Sequence, residues 1–250
     1  HRDLHLSIRR QRQMCIRDRN YIPWSTAGSI TDGHGIIVDD TKHTQDGLAA
    51  YKGKTLITNN IGYGNGGNAI NVYSSSNVDV FNNSTYMNSR SPSLDGGEIS
   101  SNSSSNVQIQ NNIMYARTGK KATNNYNNTN VTYDYNTYFN GTVAVKGPND
   151  IVLNPLYVNP STSALSADFH LQALSLAIDT GSGAVAPSRD FEDVTRPIGG
   201  KYDRGAYEYR IASTGDTTAP SVPTNLVATP ISTSQINLSW NASTDAVGVI

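Results

Sequence analysis

Four short segments of this chain align on an asparagine, and their spacing restricts the fold more than any other feature. They are TLITNNIGY on Asn60, VDVFNNSTY on Asn83, VQIQNNIMY on Asn112 and VTYDYNTYF on Asn136, at intervals of 23, 29 and 24 residues. Each interval is long enough for one coil of a solenoid, and a unit of that size buries its apolar face only by stacking on its neighbours. Five and three positions before each Asn stand Thr55 and Ile57, Val78 and Val80, Val107 and Ile109, and Val131 and Tyr133. That period of two marks short strands with one buried face. Three positions after each Asn comes an aromatic: Tyr63, Tyr86, Tyr115 and Phe139. If each repeat is one turn of a parallel β-helix, equivalent residues stack about 4.8 Å apart. Asn60, Asn83, Asn112 and Asn136 are then expected to form a ladder, their amides hydrogen-bonding along the stack at a sharp corner. Asn also tolerates the left-handed backbone that such corners need.

A second strand set lies between the Asn corners: GIIVDD from Gly35, AINVYS from Ala69 and EISSNS from Glu98. Placing Ile36, Ile70 and Ile99 inward also turns Val38, Val72 and Ser101 inward. Alternation then points Asp39, Tyr73 and Asn102 outward in one row, and Ile37, Asn71 and Ser100 in another. Outward rows on stacked strands are where solenoids present binding faces. Two insertions, Thr41 to Lys54 and Asn88 to Gly97, are expected to flank this face and form its cleft.

The N-terminus departs from this pattern. IRRQRQMCIRDR, residues 8–19, holds five arginines and the single cysteine, Cys15. By charge it reads as a basic nucleic-acid arm. Residues 1–19, however, resemble translated sequencing adapter, and a segment of that origin is excluded from fold reasoning. It is expected to be an exposed appendage without a place in the coil register, with the natural protein starting upstream of Asn20. Removing its six Arg and two Asp from the 19 basic and 20 acidic residues leaves 13 and 18, a net charge of −5, and no cysteine. Such a balance supports neither nucleic-acid binding nor a disulfide scaffold. No apolar run is long enough to cross a bilayer.

DGHGIIVDD, the NN-x-x-Y coils and their order resemble bacterial right-handed parallel β-helix proteins of the pectate-lyase-like superfamily. NPLYVNP at Asn154, DFHLQ at Asp168, AIDTG at Ala177, the Arg196-Pro197 pair and DRGAYEY at Asp203 resemble the tail called choice-of-anchor Q that follows such helices. Beyond a Pro/Thr-rich linker, Leu226, Val227, Ile236, Leu238 and Trp240 resemble the first two strands of a bacterial fibronectin type III domain, a sandwich that takes about 100 residues to close. The expected organisation is an all-β chain: 1–19 non-native, 20–150 single-stranded right-handed parallel β-helix, 151–210 tail, 211–222 linker and 223–250 a truncated fibronectin type III piece.

The resemblance implies a secreted or cell-surface bacterial monomer that binds an acidic polysaccharide such as pectate and cleaves it by β-elimination. In that chemistry a Ca²⁺ held by carboxylates takes the substrate carboxylate, and a Lys or Arg of lowered pKa acts as base. The candidates here are Asp39, Asp40 and Glu98 as Ca²⁺ ligands, Lys42 or Arg90 as base or carboxylate clamp, and Tyr73, His43 and Asn102 as substrate contacts. Two alternatives stay open: a glycoside hydrolase, which needs two carboxyl groups, and a non-catalytic adhesion platform. His170, Asp179, Asp203 and Glu208 are expected to make structural hydrogen bonds within the tail.

Overall fold

The computed structural model describes residues 33–92, 94–210 and 220–244, together with the backbone of a two-residue strand, Cys15–Ile16. The described residues form two compact units divided between Tyr209 and Arg210. In the first, apolar residues two apart pair with apolar residues of the next coil. Val78 faces Val107, which faces Val131, and Ile36 faces Ile70, which faces Ile99. The chain visits three parallel sheets in rotation, an arrangement consistent with a parallel β-helix.

A five-stranded sheet contains Ile36–Asp39, Ile70–Tyr73, Ile99–Asn102, Lys121–Tyr126 and Thr142–Val143. A four-stranded sheet contains Thr55–Thr58, Ser76–Phe81, Ser105–Gln110 and Thr129–Asp134. A six-stranded sheet contains Cys15–Ile16, Ile61–Tyr63, Ser84–Tyr86, Ile113–Tyr115, Thr137–Phe139 and Ile151–Val152. Among the described residues there is no helix. The interior holds Val72, Val78, Val80, Ile99, Val107 and Ile109, all without measurable exposure.

One expectation fails here. Cys15 and Ile16 pair in parallel with Ile61 and Gly62, so these two residues occupy a place in the coil register that residues 1–19 were expected to lack. A strand edge with unpaired N–H and C=O groups accepts any backbone that can extend alongside it. The rest of residues 1–19 lies outside the described residues.

At each corner a side chain takes over the hydrogen bonding that the turning backbone leaves. Between the four- and six-stranded sheets, Asn60 donates from Nδ2 to Asn83 Oδ1 at 2.9 Å, Asn83 to Asn112 at 2.9 Å, and Asn112 to Asn136 at 3.0 Å. Each acceptor oxygen also receives the backbone N–H of the same donor residue, at 2.9, 2.9 and 3.0 Å. The left-handed residue is the one before the ladder Asn: Asn59, Asn82, Asn111 and Tyr135 have φ of 53 to 57°. Turning the chain and satisfying its polar groups are therefore divided between neighbouring residues.

This ladder ends on a carboxylate. Asp150 Oδ1 accepts from Asn136 N at 2.7 Å. A second, shorter ladder at the corner entering the five-stranded sheet runs from Asn65 to Asn88 at 2.8 Å and ends on Glu98, which accepts from Asn88 N at 2.8 Å and from Asn88 Nδ2. The last position of such a chain only accepts, and a carboxylate is an acceptor on both oxygens. At the third corner Thr41 N donates to Ser75 Oγ, Ser75 N to Ser104 Oγ and Ser104 N to Asn128 Oδ1.

Tyr63, Tyr86, Tyr115 and Phe139 are register partners on the six-stranded sheet. The segment from Asn154 to Tyr209 folds over them: Phe169 lies 5.2 Å from Tyr63 and Tyr157 packs on Phe169 at 5.2 Å, measured between ring centroids. Buried aromatic pairs of this kind contribute about 0.5–1.5 kcal/mol each beyond their area. Arg204 fastens the tail by donating to Asn136 O at 2.7 Å and Asn149 O at 3.0 Å. Gly205, at φ 89°, passes so close that a Cβ would lie 2.7 Å from Ile113 Cδ1. Within the tail, Arg196 Nη1 donates to Glu208 at 2.8 Å with both side chains fully buried, and Asp203 accepts from Asp179 N at 2.8 Å and from Tyr209 N. Asp179 in turn accepts from Lys201 N, and His170 Nδ1 bonds Asp168 at 2.7 Å.

The second unit is an antiparallel pair, Thr224–Ser232 with Gln235–Asn241.

Candidate functional site

The tail covers the outer face of the six-stranded sheet but not that of the five-stranded one. On the latter, pairing places Tyr73, Asn102 and Tyr126 directly opposite one another on three successive strands, following Asp39 on the first. Tyr73 is 42% and Tyr126 69% exposed. A second row of Ile37, Asn71, Ser100 and Asn124 runs beside it, but Asn71 and Ser100 at its middle are buried, Ser100 bonded to Asn68 and Gly96 O. The amides of the two rows interlock: Asn124 donates to Asn102 Oδ1 at 3.2 Å, and Asn102 donates to Asn71 Oδ1 at 3.3 Å. Asn71 reaches His34 Nε2 at 3.3 Å, while His34 Nδ1 accepts the backbone N–H of Asn68 at 2.9 Å. The result is a straight polar and aromatic face held in place by its own hydrogen bonds. Asp39 is the single ionic side chain in its two rows.

Tyr126 and Asn124 are absent from the sequence-derived candidates. Their strand reads KATNNY and lacks the apolar alternation of its neighbours, with Thr123 where Ile99 and Ile70 stand. A usable signal existed: Tyr126 follows Asn102 by 24 residues, the same interval that separates Asn112 from Asn136.

The residues expected to hold Ca²⁺ do not come together. Asp40 sits in the left-handed region, and its carboxylate accepts from Thr44 Oγ1 at 2.6 Å, Thr44 N at 2.8 Å and Gln45 N at 3.0 Å. These bonds, the Thr44 hydroxyl first, hold its carboxyl below the ordinary range. Asp39 points outward, whereas Glu98 is 1% exposed and terminates the Asn65–Asn88 ladder. Register puts Glu98 two strands away and four residues back, about 10 Å across the sheet and about 13 Å along it. Among the described residues no group of three or more His, Cys, Asp or Glu could hold a metal. The calcium set Asp39, Asp40 and Glu98 therefore does not fit the ion.

The basic candidates are also apart. Lys42 Nζ donates to Ser103 O at 2.7 Å, which ties it to the corner leaving the sheet. Arg90 stands at the opposite margin, where its backbone N–H donates to Asn65 O at 3.1 Å. His43, with φ 52°, bonds Asp46 at 2.9 Å inside the 41–54 insertion. Of the expected substrate contacts, Tyr73 and Asn102 share the open face and His43 does not lie in its rows.

Burial pushes the Glu98 carboxyl up to about 7 and that of Asp203 up to about 7. Between the ordinary carboxylate range and pH 7 the folded chain thus holds protons that the unfolded chain releases. The stability these groups contribute is complete below about pH 4 and is lost as pH rises through about 7, with a slope of up to about 1.4 kcal/mol per pH unit for each group. Urea denaturation of the intact chain at a series of pH values should show stability falling from mildly acidic to neutral pH, and Glu98→Gln should flatten that slope. An unchanged slope in the variant would remove Glu98 from the account.

No family profile matches the chain. A stretch of 35 residues is 66% identical to Chitinase A1 of Niallia circulans, covering 14% of this chain and 5% of the chitinase. The chain thus spans a small fraction of that relative's length. Among the described residues no helix is long and apolar enough to cross a membrane.

Proposed function

We propose that this chain is a polysaccharide-binding module of a secreted or cell-surface bacterial protein, a right-handed parallel β-helix whose five-stranded sheet is the glycan-facing surface. The observation that carries the reading is the open row of Tyr73, Asn102 and Tyr126, with its amides held by Asn71 and Asn124. Aromatic faces beside ordered amides match a sugar ring, which is apolar on its faces and hydroxylated at its rim. The right hand follows from the strong preference of parallel crossovers for it. The similarity to Chitinase A1, by its name an enzyme of a polysaccharide, favours a carbohydrate-directed protein. The hairpin of Thr224–Ser232 and Gln235–Asn241, with Leu226, Ile236, Leu238 and Trp240 exposed, suits part of a fibronectin type III spacer.

Binding is favoured over cleavage. β-Elimination needs a base close to a neutralised substrate carboxylate, and glycoside hydrolysis needs a carboxyl pair flanking the bond. Glu98 is buried in a ladder, Lys42 is held by Ser103 O and Arg90 is at the far margin. The test is retention of the chain on insoluble polysaccharides, run beside an ultraviolet assay for unsaturated product from polygalacturonate with and without chelator. Retention without product is expected. Chelator-sensitive product would restore the lyase, and absence of retention on every polysaccharide would end the binding reading.

A further inference from the structure

We infer, on the strength of that binding reading, that the ligand is an uncharged, extended β-1,4-linked glycan lying parallel to the solenoid axis, with its pyranose faces on Tyr73 and Tyr126. Three observations converge.

The first is spacing. Tyr73 and Tyr126 are both paired to Asn102, from opposite sides, so they stand two coils apart on one line, about 9.6 Å. In a β-1,4-linked ribbon each sugar is turned over relative to the last, so alternate rings present the same face, and one disaccharide advances by close to this distance. An α-1,4-linked glucan coils and does not follow a straight row.

The second is charge. The two outward rows carry one ionic side chain, Asp39, and it is an anion. Lys42, tied to Ser103 O, and Lys121, paired with Asp95 at 3.5 Å, both stand outside these rows. A uronic-acid polymer laid on this face would meet no row of cations and would be repelled by Asp39.

The third is hydrogen bonding between the rings. Asn102 spends one amide hydrogen on Asn71 and one lone pair on Asn124, which leaves one donor and one acceptor position to reach the sugar between the two tyrosines. Because its amide is already fixed, little rotamer freedom is lost on binding.

The experiment is calorimetric titration of the full chain with cello- and chito-oligosaccharides of two to six sugars, with malto-oligosaccharides and oligogalacturonates as the α-linked and acidic comparisons. Trimers and longer β-1,4 chains should bind about tenfold or more tighter than dimers, because only they span both rings. Tyr73→Ala and Tyr126→Ala should each weaken the hexamer about tenfold and abolish the gain from dimer to trimer. Leu165→Ala, in an exposed tail loop, should change nothing, and all variants should keep the parent melting temperature. β-1,4 binding that is indifferent to both tyrosines would overturn the track while leaving a polysaccharide-binding protein. Preference for oligogalacturonate or malto-oligosaccharide would overturn the ligand class. Binding of no glycan at all would overturn this inference and the binding reading together.

Discussion

Asn112→Ala should destabilise the solenoid by about 3 kcal/mol, and the effect should reach well beyond its own coil. Asn112 Oδ1 is the acceptor for both the backbone N–H and the side-chain amide of Asn83, each at 2.9 Å, and Asn83 has no exposure. Removing that oxygen leaves the buried Asn83 N–H unsatisfied at about 1–3 kcal/mol, while Asn83 Nδ2 keeps Ile57 O and Phe81 O. It also strips Val80 O and Gln110 O of the donor they share. Domains of this size are stable by about 5–15 kcal/mol, so one amide carries a large part of the margin. Because coils contact only their neighbours, a break at Asn112 should also uncouple the two halves of the stack. In urea the expected signature is a lower midpoint with a shallower transition. Asn106 provides the comparison: it belongs to an exposed amide row, bonded to Asn77 at 3.5 Å and Asn130 at 2.7 Å. Asn106→Gly, which keeps the left-handed backbone at φ 53° without strain, should fall within about 0.5 kcal/mol of the parent. Equal effects at the two positions would mean that the inner ladder is ornamental.

Glu208→Leu should cost about 3–5 kcal/mol by stranding Arg196. The pair is 2.8 Å apart and fully buried, and Glu208 also accepts from Ile198 N at 3.0 Å. Burial lowers the Arg196 pKa, the cost of holding a guanidinium out of water, with Glu208 as the largest opposing influence. Arg196 also donates to Asp203 O and Gly205 O, the carbonyls that bracket Arg204. Loss of the pair should therefore loosen the grip of the tail on the coils as well as the tail itself. Thermal melts should fall in Glu208→Leu, and Tyr63, Tyr86 and Tyr115 should gain solvent exposure by tyrosine fluorescence quenching. The double variant Arg196→Met with Glu208→Leu should recover part of the loss, since it removes the unpaired charge but not the orphaned backbone groups. A double variant no better than the single would show that the charge is not what matters.

The coil register was legible because it rests on a local rule. Side chains alternate along a strand, and a unit of 23 to 29 residues must stack to bury its valines. The pairings of Ile36, Ile70 and Ile99 and of Val78 and Val107 follow from that alternation alone. The strand Lys121–Tyr126 escaped because its inward positions, Ala122 and Thr123 among them, are small or polar although buried. The reading of Glu98 as a metal ligand went astray for a different reason. A carboxylate beside a glycine pair looks exposed in one dimension, and nothing local says that Asn88, ten residues earlier, brings two N–H groups to it.

The sequence by itself determined the coil, its inward valines and isoleucines and its periodic asparagines, since these depend on chain geometry and on neighbours one period away. Only the tertiary structure decided which outer face stays open. The aromatic row on one sheet and the tyrosine row on the other are much alike as sequence, one a ring at every coil and the other a ring at every second coil. The first is covered, wholly at Tyr63 and partly at Tyr86 and Tyr115, because Tyr157 and Phe169, far along the chain, fold back onto it. The second is left to water because no described segment returns to cover Tyr73 and Tyr126. Covering a face is a contact between segments far apart in the chain, and a repeat carries no information about it.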